Sequence, residues 1–125
     1  EDLPNLYRYK SLLDSEISVL SSSDGPYGPI SPFEVVDAAV NRMTRSGKVI
    51  GAEEVVSSDE ALSGYLKNPD QLGSSPFAVS LGDPADLCIL ESSSTDLFKF
   101  SKDDVVFHTI IGGEICYSAS SSRIS

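Results

Sequence analysis

Apolar positions recur at two periods along this chain, helical in the first half and strand-like in the second. Between residues 3 and 16, Leu6, Tyr9 and Leu13 fall at helical intervals, with Pro4 suited to a first turn. The run Ile17-Ser18-Val19-Leu20 then predicts a short strand. It leads into Ser21-Ser22-Ser23-Asp24-Gly25-Pro26-Tyr27-Gly28-Pro29, where glycine and proline forbid regular structure. A helix is expected over 32–44. Ser31 and Glu34 have capping-box spacing, Pro32 takes the first helical position, and Phe33, Val36, Val40 and Met43 form the apolar stripe. Ser46-Gly47 should end it. A second capping box, Ser57 with Glu60, precedes Ala61, Leu62, Tyr65 and Leu66, and Asn68-Pro69 stops that shorter helix.

The remainder changes character. Residues 85–90, 105–111 and 114–117 read as strands, and Gly112-Gly113 between the last two is a strong hairpin signal. Ser92-Ser93-Ser94-Thr95-Asp96 reads as a polar loop, and the Ser-rich stretch 118–125 as a frayed tail. The fold class is therefore α/β plus β. A strand feeding a helix through a Gly/Pro loop is one unit of an α/β layer, and one unit cannot cover its own faces. Three terminal strands leave open edges as well. Both halves read as incomplete.

Size and charge narrow the picture further. The chain has 125 residues, whereas a (β/α)8 barrel needs about 250. Nine basic against nineteen acidic side chains give a net charge of -10, which repels phosphate backbones and anionic lipid headgroups and argues against nucleic-acid or membrane partners. No apolar run approaches the roughly 20 residues of a membrane span, and no signal peptide is evident. A cytoplasmic location is the expectation. The chain opens on Glu1 rather than Met, which suggests that polypeptide precedes it. Cys88 and Cys116 lie in strand-like apolar runs and read as reduced core cysteines.

Candidate chemistry is sparse. An aspartate just past the C-terminal end of a strand, as Asp24 is expected to be, stands where α/β barrels place catalytic groups. An Asp before Gly-Pro is also a common turn residue. There is no His-x-His and no His/Cys cluster, although a catalytic zinc site takes three protein ligands. The single histidine, His108, lies inside a strand-like run and reads as a strand residue rather than a ligand. The many serines lack a convincing base. Arg42 and Arg45 are expected to meet the partial negative charge at the end of the 32–44 helix. Pattern alone yields an α/β fragment with a β appendage and no self-sufficient site.

Ser23-Asp24-Gly25-Pro26-Tyr27-Gly28-Pro29, reached from the 6–14 helix and the 17–20 strand, resembles the end of the barrel in the amidohydrolase 3 (YtcJ-like) group of the amidohydrolase superfamily. Ala38-Ala39-Val40 with Arg42, and Glu60-Ala61-Leu62 with Tyr65, are similar to the segments that follow in that group. Gly82-Asp83-Pro84-Ala85-Asp86-Leu87-Cys88-Ile89-Leu90 resembles the point where those chains enter a small β-sandwich. Residues 106–117, with Thr109, Gly112-Gly113 and Tyr117, resemble its closing hairpin. The landmarks occur in family order. The segment 67–75, with Asn68-Pro69-Asp70, departs from it and suggests a rebuilt connector.

This resemblance implies the last strand and helices of a (β/α)8 barrel, followed by the C-terminal piece of a composite β-sandwich. The implied divisions are a partial barrel at 1–56, a helical connector at 57–80 and a sandwich segment at 81–125. It further implies a metal-dependent hydrolase of C–N, amide-type bonds. Asp24 would be its proton-transfer residue, and a metal contact only together with upstream histidines. The cofactor would be a divalent metal, zinc first, in the longer parent, and none for this chain alone. Its partners would be the missing N-terminal part of the polypeptide and a small-molecule substrate, and homo-oligomerisation is compatible with this. The chain alone is expected to be inactive. The alternative is a non-catalytic structural or interaction remnant, with a stand-alone serine- or thiol-dependent hydrolase a weaker third reading.

Overall fold

The computed structural model describes residues 5–70, 79–91 and 105–119, and these fall into two compact units, 1–78 and 79–125. The beginning of the 3–16 helix, the Ser92–Asp96 loop, most of the 67–75 connector and nearly all of the tail lie outside the described residues.

The first unit is helical. Its elements are α1 (Tyr9–Asp14), α2 (Pro32–Asn41), a 3-10 turn (Ala52–Glu54) and α3 (Ser58–Leu66). At α3, sequence and structure agree. Ser57 Oγ accepts the Glu60 N–H at 3.2 Å while Glu60 Oε2 accepts the Ser57 N–H at 2.7 Å, which closes the capping box. These Ser57 bonds, the backbone N–H first, hold the Glu60 carboxyl below its ordinary pKa. The same spacing at Ser31 and Glu34 does not form a box. There the Glu34 N–H goes to the Ser31 carbonyl at 3.2 Å, and the Ser31 side chain caps nothing. The expected 32–44 helix ends at Asn41, because Arg42 turns left-handed at φ 53°. Beyond it, Met43 and Val49 form an isolated antiparallel bridge, with Ser46-Gly47 at the tip of the turn between them.

Residues 17–20 are not a strand. They lie between α1 and the glycine-rich loop without forming a ladder, and among the described residues Val19 and Leu20 make no main-chain hydrogen bond. A strand exists only through its neighbours' N–H and C=O groups, and none of the described residues provides a neighbouring strand here. The apolar core is thin. Val36 on α2, Val56, and Ala61 on α3 are buried, while Ile17, Leu20, Tyr27 and Ile30 stay exposed.

The second unit is a three-stranded antiparallel sheet in the order β1 (Leu87–Leu90), β2 (Val106–Ile111), β3 (Glu114–Ser118). Gly112 and Gly113 join β2 to β3 with φ of 58° and 84°, the two positive values a type I′ turn requires. Leu87, Ile110 and Ile115 are in register across the three strands. Irregularities follow Ile89 in the first pairing and Thr109 in the second. Cys88 and Cys116 are free but exposed, not core residues, because β1 and β3 are the two edges of this small sheet.

Candidate functional site

The loop that follows residues 17–20 is fixed by contacts at its start and by its own turn. At its start, the Ser21 N–H donates to the Gly64 carbonyl of α3 at 3.0 Å, and the Tyr9 hydroxyl lies 3.2 Å from Ser21 Oγ and 3.3 Å from the Glu60 carbonyl. This ties α1, α3 and the start of the loop together. The backbone then reaches Asp24, which is left-handed at φ 50°, a region that aspartate tolerates better than most residues. The Asp24 carbonyl accepts the N–H groups of Tyr27 at 3.0 Å and Gly28 at 3.2 Å. Ser23 Oγ accepts the Gly25 N–H at 3.3 Å, and Ser22 Oγ lies 3.4 Å from the Asp24 nitrogen. Among the described residues, every hydrogen bond of Asp24 is made by its main chain.

Asp24 lies on the wall of a cleft of about 700 Å³, which Val19, Leu20, Val35, Ala39 and Tyr65 also line. The Tyr65 hydroxyl is shielded from solvent and has no hydrogen-bond partner among the described residues, and burial pushes its pKa up. Nothing in the sequence distinguished Tyr65 from an ordinary apolar-face residue of α3. The cleft thus combines largely apolar walls with Arg8, Arg42 and the exposed Asp24.

Two buried charges brace this unit. Arg42, only 9% exposed, sends Nε to the carbonyls of Ile50 (2.9 Å) and Gly51 (3.2 Å), Nη1 to Tyr7 (3.1 Å) and Nη2 to Leu6 (3.0 Å). The expected contact with the helix dipole is therefore replaced by a four-carbonyl clasp between chain segments far apart in sequence. Arg45 stays exposed. Glu54, only 4% exposed, accepts hydrogen bonds from the N–H and the hydroxyl of Ser11. Sequence reasoning missed Glu54, whose partner lies on α1.

The remaining candidates carry no catalytic arrangement. His108 Nδ1 lies 2.9 Å from Ser118 Oγ on the neighbouring strand, and its ring sits 4.2 Å from that of Phe107. Burial raises the Cys88 thiol pKa even though the residue as a whole is exposed, which disfavours the thiolate a nucleophile needs. Among the described residues no three His, Cys, Asp or Glu side chains come together as a metal site. One carboxylate falls short of the three ligands a catalytic metal takes, so this donor set does not hold one by itself. No helix among the described residues is long and apolar enough to cross a membrane.

The profile of the amidohydrolase family matches residues 1–117, nearly the whole chain. An N-substituted formamide deformylase from Arthrobacter pascens is 31% identical over 121 residues, covering 94% of this chain and 22% of the deformylase. No solved structure matches. The match over residues 1–117 and the identity to the deformylase define the class: this chain belongs to the amidohydrolase family. It spans about a fifth of the length of the deformylase it matches.

Proposed function

We propose that this chain is the C-terminal part of a metal-dependent hydrolase acting on amide-type C–N bonds, with Asp24 as its proton-transfer group. The carrying observation is the position of Asp24, on the cleft wall four residues past Leu20. Residues 17–20 have the composition of a strand and lack ladder partners among the described residues, as the last strand of a barrel would without its neighbours. The family match and the fifth of a deformylase that the chain spans support the same reading.

Asp24 is exposed and its side chain makes no hydrogen bond among the described residues, so it can accept a proton from the attacking water and return it to the leaving nitrogen. A divalent metal held by the rest of the polypeptide would supply Lewis acidity and bring the water pKa towards neutrality. The apolar walls would exclude bulk water from the reacting bond. The relative's name makes N-substituted formamides the first substrates to try.

The test compares this 125-residue chain with the polypeptide encoded by the complete gene. The longer polypeptide should hydrolyse an N-substituted formamide and lose activity on chelation, whereas the 125-residue chain should do neither. The second reading, a non-catalytic interaction module, draws on the outer edges of β1 and β3, which no strand pairs among the described residues, and on exposed Ile115 and Tyr117. An upstream coding sequence without metal-binding histidines would favour it.

A further inference from the structure

Gly28 touches the peptide units on both sides of the Asp24 Cα. On one side, a Cβ built at Gly28 would collide with the Ser23 carbonyl oxygen, far inside van der Waals contact, and would lie 3.3 Å from the Ser23 carbonyl carbon. That oxygen belongs to the Ser23–Asp24 peptide, and because the peptide is planar, pushing on it rotates the Asp24 N–H with it. On the other side, the Gly28 N–H donates to the Asp24 carbonyl at 3.2 Å. The φ of Gly28 itself lies outside the left-handed region. Its requirement for glycine is therefore one of space, not of backbone freedom.

The obstacle is a backbone atom, which cannot swing aside as a side-chain end does. Asp24 keeps its left-handed φ of 50° while both flanking peptides are held in place. Released, it would relax towards the ordinary α or β regions, and its Cα–Cβ bond would leave its present direction. We propose that Gly28 is a positioning residue for Asp24: its bare Cα and its N–H together hold the two peptides that set the direction of the carboxylate. This rests on the reading of Asp24 as the proton-transfer group. Gly28 touches no reacting atom and acts only through Asp24.

Gly28→Ala tests this in two settings. In the 125-residue chain, the HN–Hα coupling at Asp24 should change as φ leaves 50°, and the Tyr27 amide should exchange at least about tenfold faster. Unchanged values would overturn the proposal. In the polypeptide encoded by the complete gene, kcat should fall about 100-fold with KM little altered, the scale expected for a misplaced catalytic group. In an Asp24→Asn background the same change should cost less than about twofold, because the two residues act as one unit. Full kcat in Gly28→Ala, or an undiminished penalty in the Asp24→Asn background, would overturn positioning. Global unfolding of Gly28→Ala in both settings would also overturn it, in favour of a general structural role. If Asp24→Asn alone keeps its turnover, the proposed function fails, and the coupling and exchange results on the shorter chain still decide the geometry.

Discussion

The carboxylate of Glu54 takes both hydrogen-bond donors of Ser11, the backbone N–H at 2.8 Å and the hydroxyl, and so fastens the 3-10 turn to α1. The Ser11 hydroxyl bond first, and then its N–H, hold the Glu54 carboxyl below the ordinary value of 4.5. A carboxyl with a depressed folded-state pKa binds fewer protons folded than unfolded. Its stabilisation is therefore complete above the ordinary value and is lost as pH falls through the lower, folded-state value. Glu54→Gln should lower the thermal midpoint at pH 7, and the gap to wild type should close as the pH drops below about 4. A gap independent of pH would show that this carboxylate is not what links stability to acid.

Arg42 should tolerate no substitute. Lysine has the charge but not the planar fork that reaches four carbonyls, and methionine leaves all four without this partner. We expect Arg42→Lys to cost about 2 kcal/mol or more in urea unfolding, with Arg42→Met costing more still. Equal stability of Arg42→Met and wild type would mean that the carbonyls of Leu6, Tyr7, Ile50 and Gly51 find water instead.

Gly64 sits within α3, where alanine would ordinarily gain about 1 kcal/mol in helix propensity. Here an added Cβ would clash with Ser21 Oγ and lie 2.7 Å from the Tyr9 hydroxyl and 3.0 Å from Ser21 Cβ. Overpacking of this kind costs about 1–3 kcal/mol, and it would also disturb the Tyr9–Ser21 hydrogen bond at the root of the Asp24 loop. Gly64→Ala should therefore destabilise the chain despite its better propensity, as measured by denaturant midpoint.

Tyr65 presents the opposite case. Its shielded hydroxyl is unpartnered, and leaving such a group unsatisfied costs about 1–3 kcal/mol. Tyr65→Phe in the 125-residue chain should be neutral or stabilising by up to about 1 kcal/mol. A clear loss of stability would reveal a hydrogen bond to that oxygen in solution.

The contrast between these residues shows what sequence could and could not reveal. Ser57 with Glu60, and Gly112 with Gly113, were legible because their partners lie within a few positions and the chemistry is local. Asp24 was named as a candidate from its place after a run of strand composition, and that run forms no strand among the described residues. The 17–20 segment has the composition of a strand, but composition cannot provide ladder partners, and none forms. Ser31 with Glu34 shows that a capping pattern is permissive, since the backbone carbonyl took the N–H instead. Arg42 was misread and Glu54 unseen because two of the carbonyls Arg42 bonds lie 35 and 36 positions away and the Ser11 donors of Glu54 lie 43 away. No periodicity encodes such a pairing.

The role of Asp24 is most directly measured by kcat for an N-substituted formamide in the polypeptide encoded by the complete gene, comparing Asp24→Asn with wild type at matched metal content. Asparagine keeps the shape but cannot accept the proton, so turnover should fall by about 10²–10⁴-fold while the bound metal is largely retained. Near-wild-type kcat in a metal-replete Asp24→Asn protein would contradict the account.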